Sequence, residues 1–169
     1  GGVELRPAEV FEPTCTICGL TSGYQGAGSK TVMPARASAK VDFRLVPDQD
    51  PAEIRRLLRA HLDAGGVSDV KIADLGAEAP GRTDPDHPFL KLASETATPV
   101  YGVRMEIAPM IGGSGPNAAF IRELGVPVAT AGLGHPDTRA HAPDENVRLD
   151  LYVKHAKHVA RLMEAFATA

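Results

Sequence analysis

From Ala35 to Leu45 the chain alternates in character. Ala35, Ala37, Ala39, Val41, Phe43 and Leu45 are apolar, whereas Arg36, Ser38, Lys40, Asp42 and Arg44 are polar. Successive strand residues point to opposite faces, so a period of two predicts a half-buried antiparallel strand. The Thr- and Ile-rich run 14–22 predicts another strand, followed by loop chemistry from Gly23 to Gly28. After Pro47 the period changes. Ile54, Leu57, Leu58 and Leu62 fall at helical spacing, with Asp50 placed to cap, Pro51 at the first helical position and Glu53 completing a capping box. An amphipathic helix is therefore expected over 51–64. Gly65-Gly66 ends it, and 67–75 reads as a returning strand. The order strand, strand, helix, strand describes a small antiparallel sheet with a helix on one face.

Composition shifts over 76–88, where Gly, Pro and Asp cluster, and a domain boundary is expected there. Beyond it, 89–97 reads as a helix and 103–108 as a short strand. Residues 115–124 read as a helix and 126–131 as a buried strand. A polar loop spans 132–146. A last helix carries Leu149, Tyr152, Val153, Ala156, Val159, Ala160 and Met163 along one face.

A net charge of −3, without a Lys/Arg run or a basic stripe, gives no electrostatic reason to expect a nucleic-acid partner. No apolar run approaches the roughly 20 residues that span a bilayer, so no membrane partner is expected either. Two cysteines in 169 residues do not make a disulfide framework, so a reducing, cytoplasmic setting is the expectation. The chain does not begin with Met, and Gly1-Gly2 leads into strand-like sequence, which reads as a piece of a longer protein.

Candidate chemistry concentrates in the loop GLGHPDTRAHAPDE, residues 132–145, which holds His135, Asp137, Arg139, His141, Asp144 and Glu145 directly after an expected strand. Loops at strand ends are where open α/β sheets place their sites. His141 reads either as a metal ligand or as the imidazole of a polar surface loop. Gly112-Gly113-Ser114-Gly115-Pro116 precedes a helix, where backbone N–H groups and a Ser hydroxyl hold a carboxylate or phosphate. The plain alternative is a flexible turn with Ser114 as the cap, and no nucleotide-loop lysine follows. Cys15 and Cys18 spell one Cys-x-x-Cys within a strand and are expected to be buried apolar thiols. His61, His87, His155 and His158 are expected on solvated helix surfaces, and Arg44 on its own reads as a solvated strand residue.

These residues resemble a family. GYQGAGSKTVMPARASAKVDFRLVPDQDP, residues 23–51, is similar to the lid segment of the dizinc peptidases and deacylases, which include bacterial and carnosine dipeptidases, acetylornithine deacetylase, succinyl-diaminopimelate desuccinylase and aminoacylases. Lys-Thr-Val-Met-Pro at 30–34 and Arg-Leu-Val-Pro at 44–47 resemble the dipeptidase branch; the deacylases usually carry Asn in place of Thr31. Gly-Gly-Ser at 112–114, AHAPDE at 140–145 and a closing helix agree in the right order.

The resemblance implies an α/β chain in two parts. Residues 1–84 would be part of an α+β lid, or dimerisation, domain, and 85–169 the C-terminal part of an α/β zinc-peptidase catalytic domain. It implies that His141 is a metal ligand and that Glu145 supports the ligand loop. Thr31, Arg44, Gly113 and Ser114 would contact substrate. It implies two zinc ions in the intact enzyme, with other divalent metals as alternatives, a small peptide or N-acyl amino acid as substrate, and a homodimer. The general-base Glu, the lid His and the other metal ligands would precede this sequence, leaving no catalytic residue within it and the chain alone inactive. Alternation along one strand would turn Thr31 and Arg44 to opposite faces unless Pro34 or a bulge resets the register. The rival readings are an N-acyl amino acid deacylase with the same site and a non-catalytic dimerisation module.

Overall fold

A computed structural model of the chain describes residues 10–111 and 113–168. The strand-like opening after Gly1-Gly2 and the residue Gly112 lie outside them. Among the described residues the chain is mixed α/β, with one small antiparallel sheet and four principal helices. It divides into two compact units. One lies within the chain up to Pro80 and takes in Ile111–Ser114; the other comprises Gly81–Met110 and the chain from Gly115 onward.

In the first unit, β1 (Thr14–Ser22) pairs antiparallel with β2 (Ala37–Arg44), from Thr14 opposite Arg44 to Ser22 opposite Ala37. The register slips between Ile17 and Gly19, so Cys18 is the extra residue of a bulge. Both thiols are free and exposed, against the expectation of burial, on a sheet that has two strands among the described residues. Helix α1 (Pro51–Ala64) begins as expected, because Asp50 Oδ1 accepts from the Ala52 and Glu53 amides at 2.8 and 3.2 Å. The reciprocal half of the capping box is absent. Glu53 instead takes Arg56 in a two-pronged bond of 2.6 and 2.7 Å, which holds its carboxyl below the usual range.

Residues 67–75 form no strand: Val67–Val70 close a turn, in which the Val70 amide donates to the Val67 carbonyl at 3.1 Å, and the rest is irregular. Their backbone acceptors are claimed by the helix: Arg59 donates to the Val70 and Val67 carbonyls at 2.6 and 3.4 Å, and Arg55 pairs with Asp74 at 3.1 Å. A guanidinium fork thus does the work that ladder hydrogen bonds would do. Between α1 and the strands lies an apolar groove of about 360 Å³, lined by Cys15, Phe43, Leu45, Ile54, Leu58 and His61 among others.

In the second unit, α2 (Pro88–Tyr101) and α4 (Leu149–Phe166) pack together. Phe89 meets Phe166 edge to face at 5.8 Å, and His158, only 4% exposed, bonds through Nε2 to the Ala93 carbonyl at 3.0 Å. His158 is therefore a core residue rather than a solvated one, and Ala93 and Ala97 are buried with it because small residues let the helices approach. His87 is also not free, since its Nδ1 caps α2 by accepting from the Phe89 amide at 3.1 Å.

Helix α3 (Asn117–Leu124) has no side-chain cap, so Ser114 does not fill that role. Gly81 is required beside it. A Cβ there would come within 2.7 Å of the Ala118 amide nitrogen and 2.8 Å of its Cα, closer than real contacts allow. The runs 103–108 and 126–131 form no strand among the described residues. For the second the reason is visible: Thr83 Oγ1 accepts from the Val128 amide at 2.9 Å and donates to its carbonyl at 3.0 Å. Both backbone polar groups of Val128 are satisfied by one hydroxyl.

Candidate functional site

Two clusters carry the candidate chemistry, one in each unit. The first stands at the end of β2. Arg44 closes the strand, and alternation places it on the face of Asp42, two residues earlier. Its Nε lies 2.7 Å from Asp42 Oδ2, and its Nη1 donates to Ser114 Oγ at 2.7 Å, across 70 residues of sequence. Arg44 is thus held at two points while its side chain remains 47% exposed.

Among the described residues the two contacts leave Nη2 and the second Nη1 hydrogen open. Ser114 accepts from Arg44, so its own hydroxyl hydrogen is free to donate elsewhere. A fixed guanidinium edge beside a free O–H matches a carboxylate, which accepts parallel hydrogen bonds at both oxygens. Gly113 is exposed next to Ser114. Thr31 lies on the irregular run 29–36, exposed, with no hydrogen bond to Arg44 or Ser114. Because β2 begins only at Ala37, strand alternation does not extend back to Thr31, and no constraint turns the two residues apart.

The second cluster is the loop 132–146. Three non-glycine residues here, Arg139, His141 and Asp144, have φ of 51°, 62° and 64°. Left-handed backbone costs an ordinary L-residue about 1–2 kcal/mol, so the surrounding bonds must hold it. Asn146 supplies most of them. Its Nδ2 donates to the Asp137 and Asp144 carbonyls, each at 3.1 Å, and its Oδ1 faces His135 Nε2 at 3.0 Å. Its backbone amide and carbonyl both bond to Thr138, at 3.1 Å to the carbonyl and 2.7 Å from Oγ1. Arg139 pairs with Asp144 at 3.4 Å, and the Ala142 amide closes a turn onto the Arg139 carbonyl at 2.9 Å.

The two loop histidines are sharply different. His135 Nδ1 accepts from the Asp137 amide at 3.3 Å, so its proton sits on Nε2 and is donated to Asn146; neither nitrogen remains for a metal. His141 is exposed and has no hydrogen-bond partner among the described residues. A neutral imidazole in that condition fits one position of a metal's coordination shell. Glu145 is exposed two residues beyond Pro143, with no bond to His141.

Among the described residues no group of three His, Cys, Asp or Glu side chains is placed to hold a metal ion, so the fit is that of a single ligand. The sequence contains two His-x-Asp triplets, but neither makes a metal pair. His61 lines the apolar groove while Asp63 pairs with Arg59 at 2.7 Å, and His135 is occupied as described. The residue that sequence reading missed is Asn146; an amide just beyond a polar loop carries no periodic or motif signal.

The chain belongs to the peptidase family M20/M25/M40, whose model matches residues 6–165. It is 24% identical over 150 residues to the Cys-Gly metallodipeptidase of Schizosaccharomyces pombe, covering 86% of this chain and 32% of that protein. It is 27% identical over 167 residues to the corresponding enzyme of Saccharomyces cerevisiae, covering 92% of this chain and 33% of the other. Among solved structures, it resembles an M20 family metallo-carboxypeptidase from Sulfolobus solfataricus with a TM-score of 0.87 and 39% identity, over 95% of this chain and 37% of that one. The S. cerevisiae dipeptidase Dug1p gives a TM-score of 0.78 at 26% identity, over 98% and 36%. The chain therefore spans about a third of the length of the relatives it matches. No helix of the described residues is long and apolar enough to cross a membrane.

Proposed function

We propose that the chain is the C-terminal part of a zinc-dependent amide-bond hydrolase acting on dipeptides or N-acyl amino acids, inactive by itself, in which residues 1–84 belong to a lid that mediates a homodimer and 85–169 to the catalytic domain. The observation that carries the substrate class is the Arg44–Ser114 bond of 2.7 Å. It presents a charged fork and a hydroxyl toward a free carboxylate, the group common to dipeptides, N-acyl amino acids and the C-termini that a carboxypeptidase reads. The activities named for its relatives, metallodipeptidase and metallo-carboxypeptidase, both suit such a reader. Thr31 and Gly113 are assigned to the same substrate, on the family resemblance.

His141 would supply one imidazole to the metal centre, with Glu145 supporting its loop. A bound zinc pair would supply Lewis-acid chemistry, lowering the pKa of a water and polarising the scissile carbonyl. This chain's own work is to hold and orient. Arg44 neutralises the substrate carboxylate, Ser114 donates a second bond to it, and Asp42 keeps the guanidinium from swinging into solvent. The general base and the remaining ligands are assigned to the rest of the protein, and the setting to the cytoplasm.

The test is substrate profiling of the full-length protein with matched sets: dipeptides with a free C-terminus, their C-terminal amides, and N-acetyl amino acids, with and without added zinc. Metal-dependent cleavage of the free dipeptides, with the amides poor, is expected. Preference for the N-acetyl amino acids would move the assignment to a deacylase. A full-length protein that cleaves none of them with any divalent metal contradicts the proposal and favours a dimerisation module.

A further inference from the structure

Asn146 stands five residues beyond His141, yet its side chain is the hub of the loop that carries that imidazole. It makes three side-chain bonds, to His135 Nε2 at 3.0 Å and to the Asp137 and Asp144 carbonyls at 3.1 Å. The two carbonyls belong to residues on either side of His141, so one planar amide ties the entering and leaving arms of the loop together. The direction of every bond is determined. His135 Nδ1 is spent on the Asp137 amide, so Nε2 must donate, and the acceptor it meets must be the amide oxygen. That orientation turns the NH₂ to the two carbonyls and spends both of its N–H donors on them. Between the two tied arms the backbone takes its left-handed values at Arg139, His141 and Asp144.

We infer that Asn146, clasped by His135, is a positioning residue for His141: it holds the strained loop closed so that the imidazole is presented to a metal ion before the ion arrives. This rests on the reading of His141 as a metal ligand. The physical reason is preorganisation. A ligand on a loop free to relax from left-handed backbone must be ordered when the ion binds, which weakens affinity; groups that orient ligands from outside the coordination shell typically change metal affinity or activity 10- to 100-fold when removed. Neither motif nor charge pattern announces this role, because Asn146 touches no metal and contributes no charge.

The experiment uses the full-length protein and reads zinc affinity by competition with a chromogenic chelator. It also reads amide hydrogen exchange of the metal-free protein at Asp137, Thr138 and Asn146, and kcat against KM at increasing free zinc. Asn146→Ala and Asn146→Asp, which keeps an oxygen but loses both N–H donors, should each speed exchange at those amides and weaken one zinc site about tenfold or more. Activity should return at high zinc with KM unchanged, because His141 is still present. His135→Ala should behave alike, whereas His135→Gln, whose amide can still donate to Asn146, should restore much of the affinity. His141→Ala should lose the site and not be rescued by zinc. If exchange speeds in the Asn146 variants while zinc affinity stays at wild type, Asn146 is merely structural and the inference is overturned, with the His141 reading intact. If His141→Ala itself binds zinc as the wild type does, the His141 reading falls and the inference falls with it.

Discussion

Replacing Arg44 with Ala in the full-length protein removes the guanidinium that donates to Ser114 and leans on Asp42. Its effect on folding should be small. The Arg44 and Asp42 side chains are 47% and 45% exposed, and an ion pair in that position is worth at most about 1 kcal/mol, or roughly 2–4 °C in Tm for a protein domain of 150–250 residues. The effect on catalysis should be larger and selective. A hydrogen bond to a charged group is worth about 1.5–3 kcal/mol, equivalent to a ten- to hundredfold loss in kcat/KM. Because Arg44 is half exposed, the lower half of that range is expected for a dipeptide with a free carboxylate. The matching C-terminal amide has no charge to lose and should change less than threefold. Arg44→Lys should recover only part of the loss, since one ammonium cannot reach Asp42 and Ser114 with a planar fork and still face the substrate. The assay is initial-rate kinetics on the acid and amide pair, beside a thermal melt. Equal losses on acid and amide would refute carboxylate reading by Arg44. A melting temperature lowered by more than 10 °C would show that Arg44 is a structural residue.

Other consequences follow from the packing. Thr83→Val keeps the shape but leaves the half-buried Val128 amide and carbonyl without Oγ1, and should cost about 1–3 kcal/mol in urea unfolding, with faster hydrogen exchange at Val128; an unchanged midpoint would contradict the bonding described. Gly81→Val forces a side chain against the Ala118 backbone and should destabilise by about 1–3 kcal/mol, while Gly81→Ala should do the same to a lesser degree; wild-type melting of both would show that the segment yields freely. Light scattering of the full-length protein at micromolar concentration should report a dimer, weakened by charge substitutions at exposed positions of β2 such as Ala39→Glu; a strict monomer would remove the dimer proposal.

The helices were legible in the sequence because their signals are local. Asp50, Pro51 and Gly65 mark the ends of α1, and the apolar stripe of α4 states its face without reference to the rest of the chain. The β1–β2 pair was legible for the same reason, as alternation in one strand and Thr/Ile content in the other. Three further strand expectations failed, at 67–75, 103–108 and 126–131. Strand sequence reports extended backbone, but a strand exists only where a neighbour accepts its hydrogen bonds. At Val67, Val70 and Val128 the structure shows side chains of Arg59 and Thr83 taking those bonds instead. Burial was misjudged wherever it depended on a second layer: Cys15 and Cys18 are exposed on a two-stranded sheet, whereas His158 is buried by a helix that its own sequence does not mention. In the site, the resemblance singled out Arg44, Ser114 and His141, and the structure joins the first two directly. Asn146 escaped because its role comes from where its amide points.

The most direct measurement sets the 169-residue chain beside the full-length protein and its His141→Ala variant, each repurified, in one zinc titration by calorimetry and one ninhydrin assay on a dipeptide panel. Catalytic zinc usually takes three protein ligands and a water, and among the described residues no three candidate ligands are placed together to hold one. The full-length protein should bind two zinc ions tightly and cleave dipeptides. His141→Ala should weaken one ion and lose most activity, and the 169-residue chain should bind zinc weakly and cleave nothing. Zinc-dependent cleavage by the 169-residue chain alone, surviving repurification and abolished by His141→Ala, would contradict the assignment of the rest of the centre to other parts of the protein.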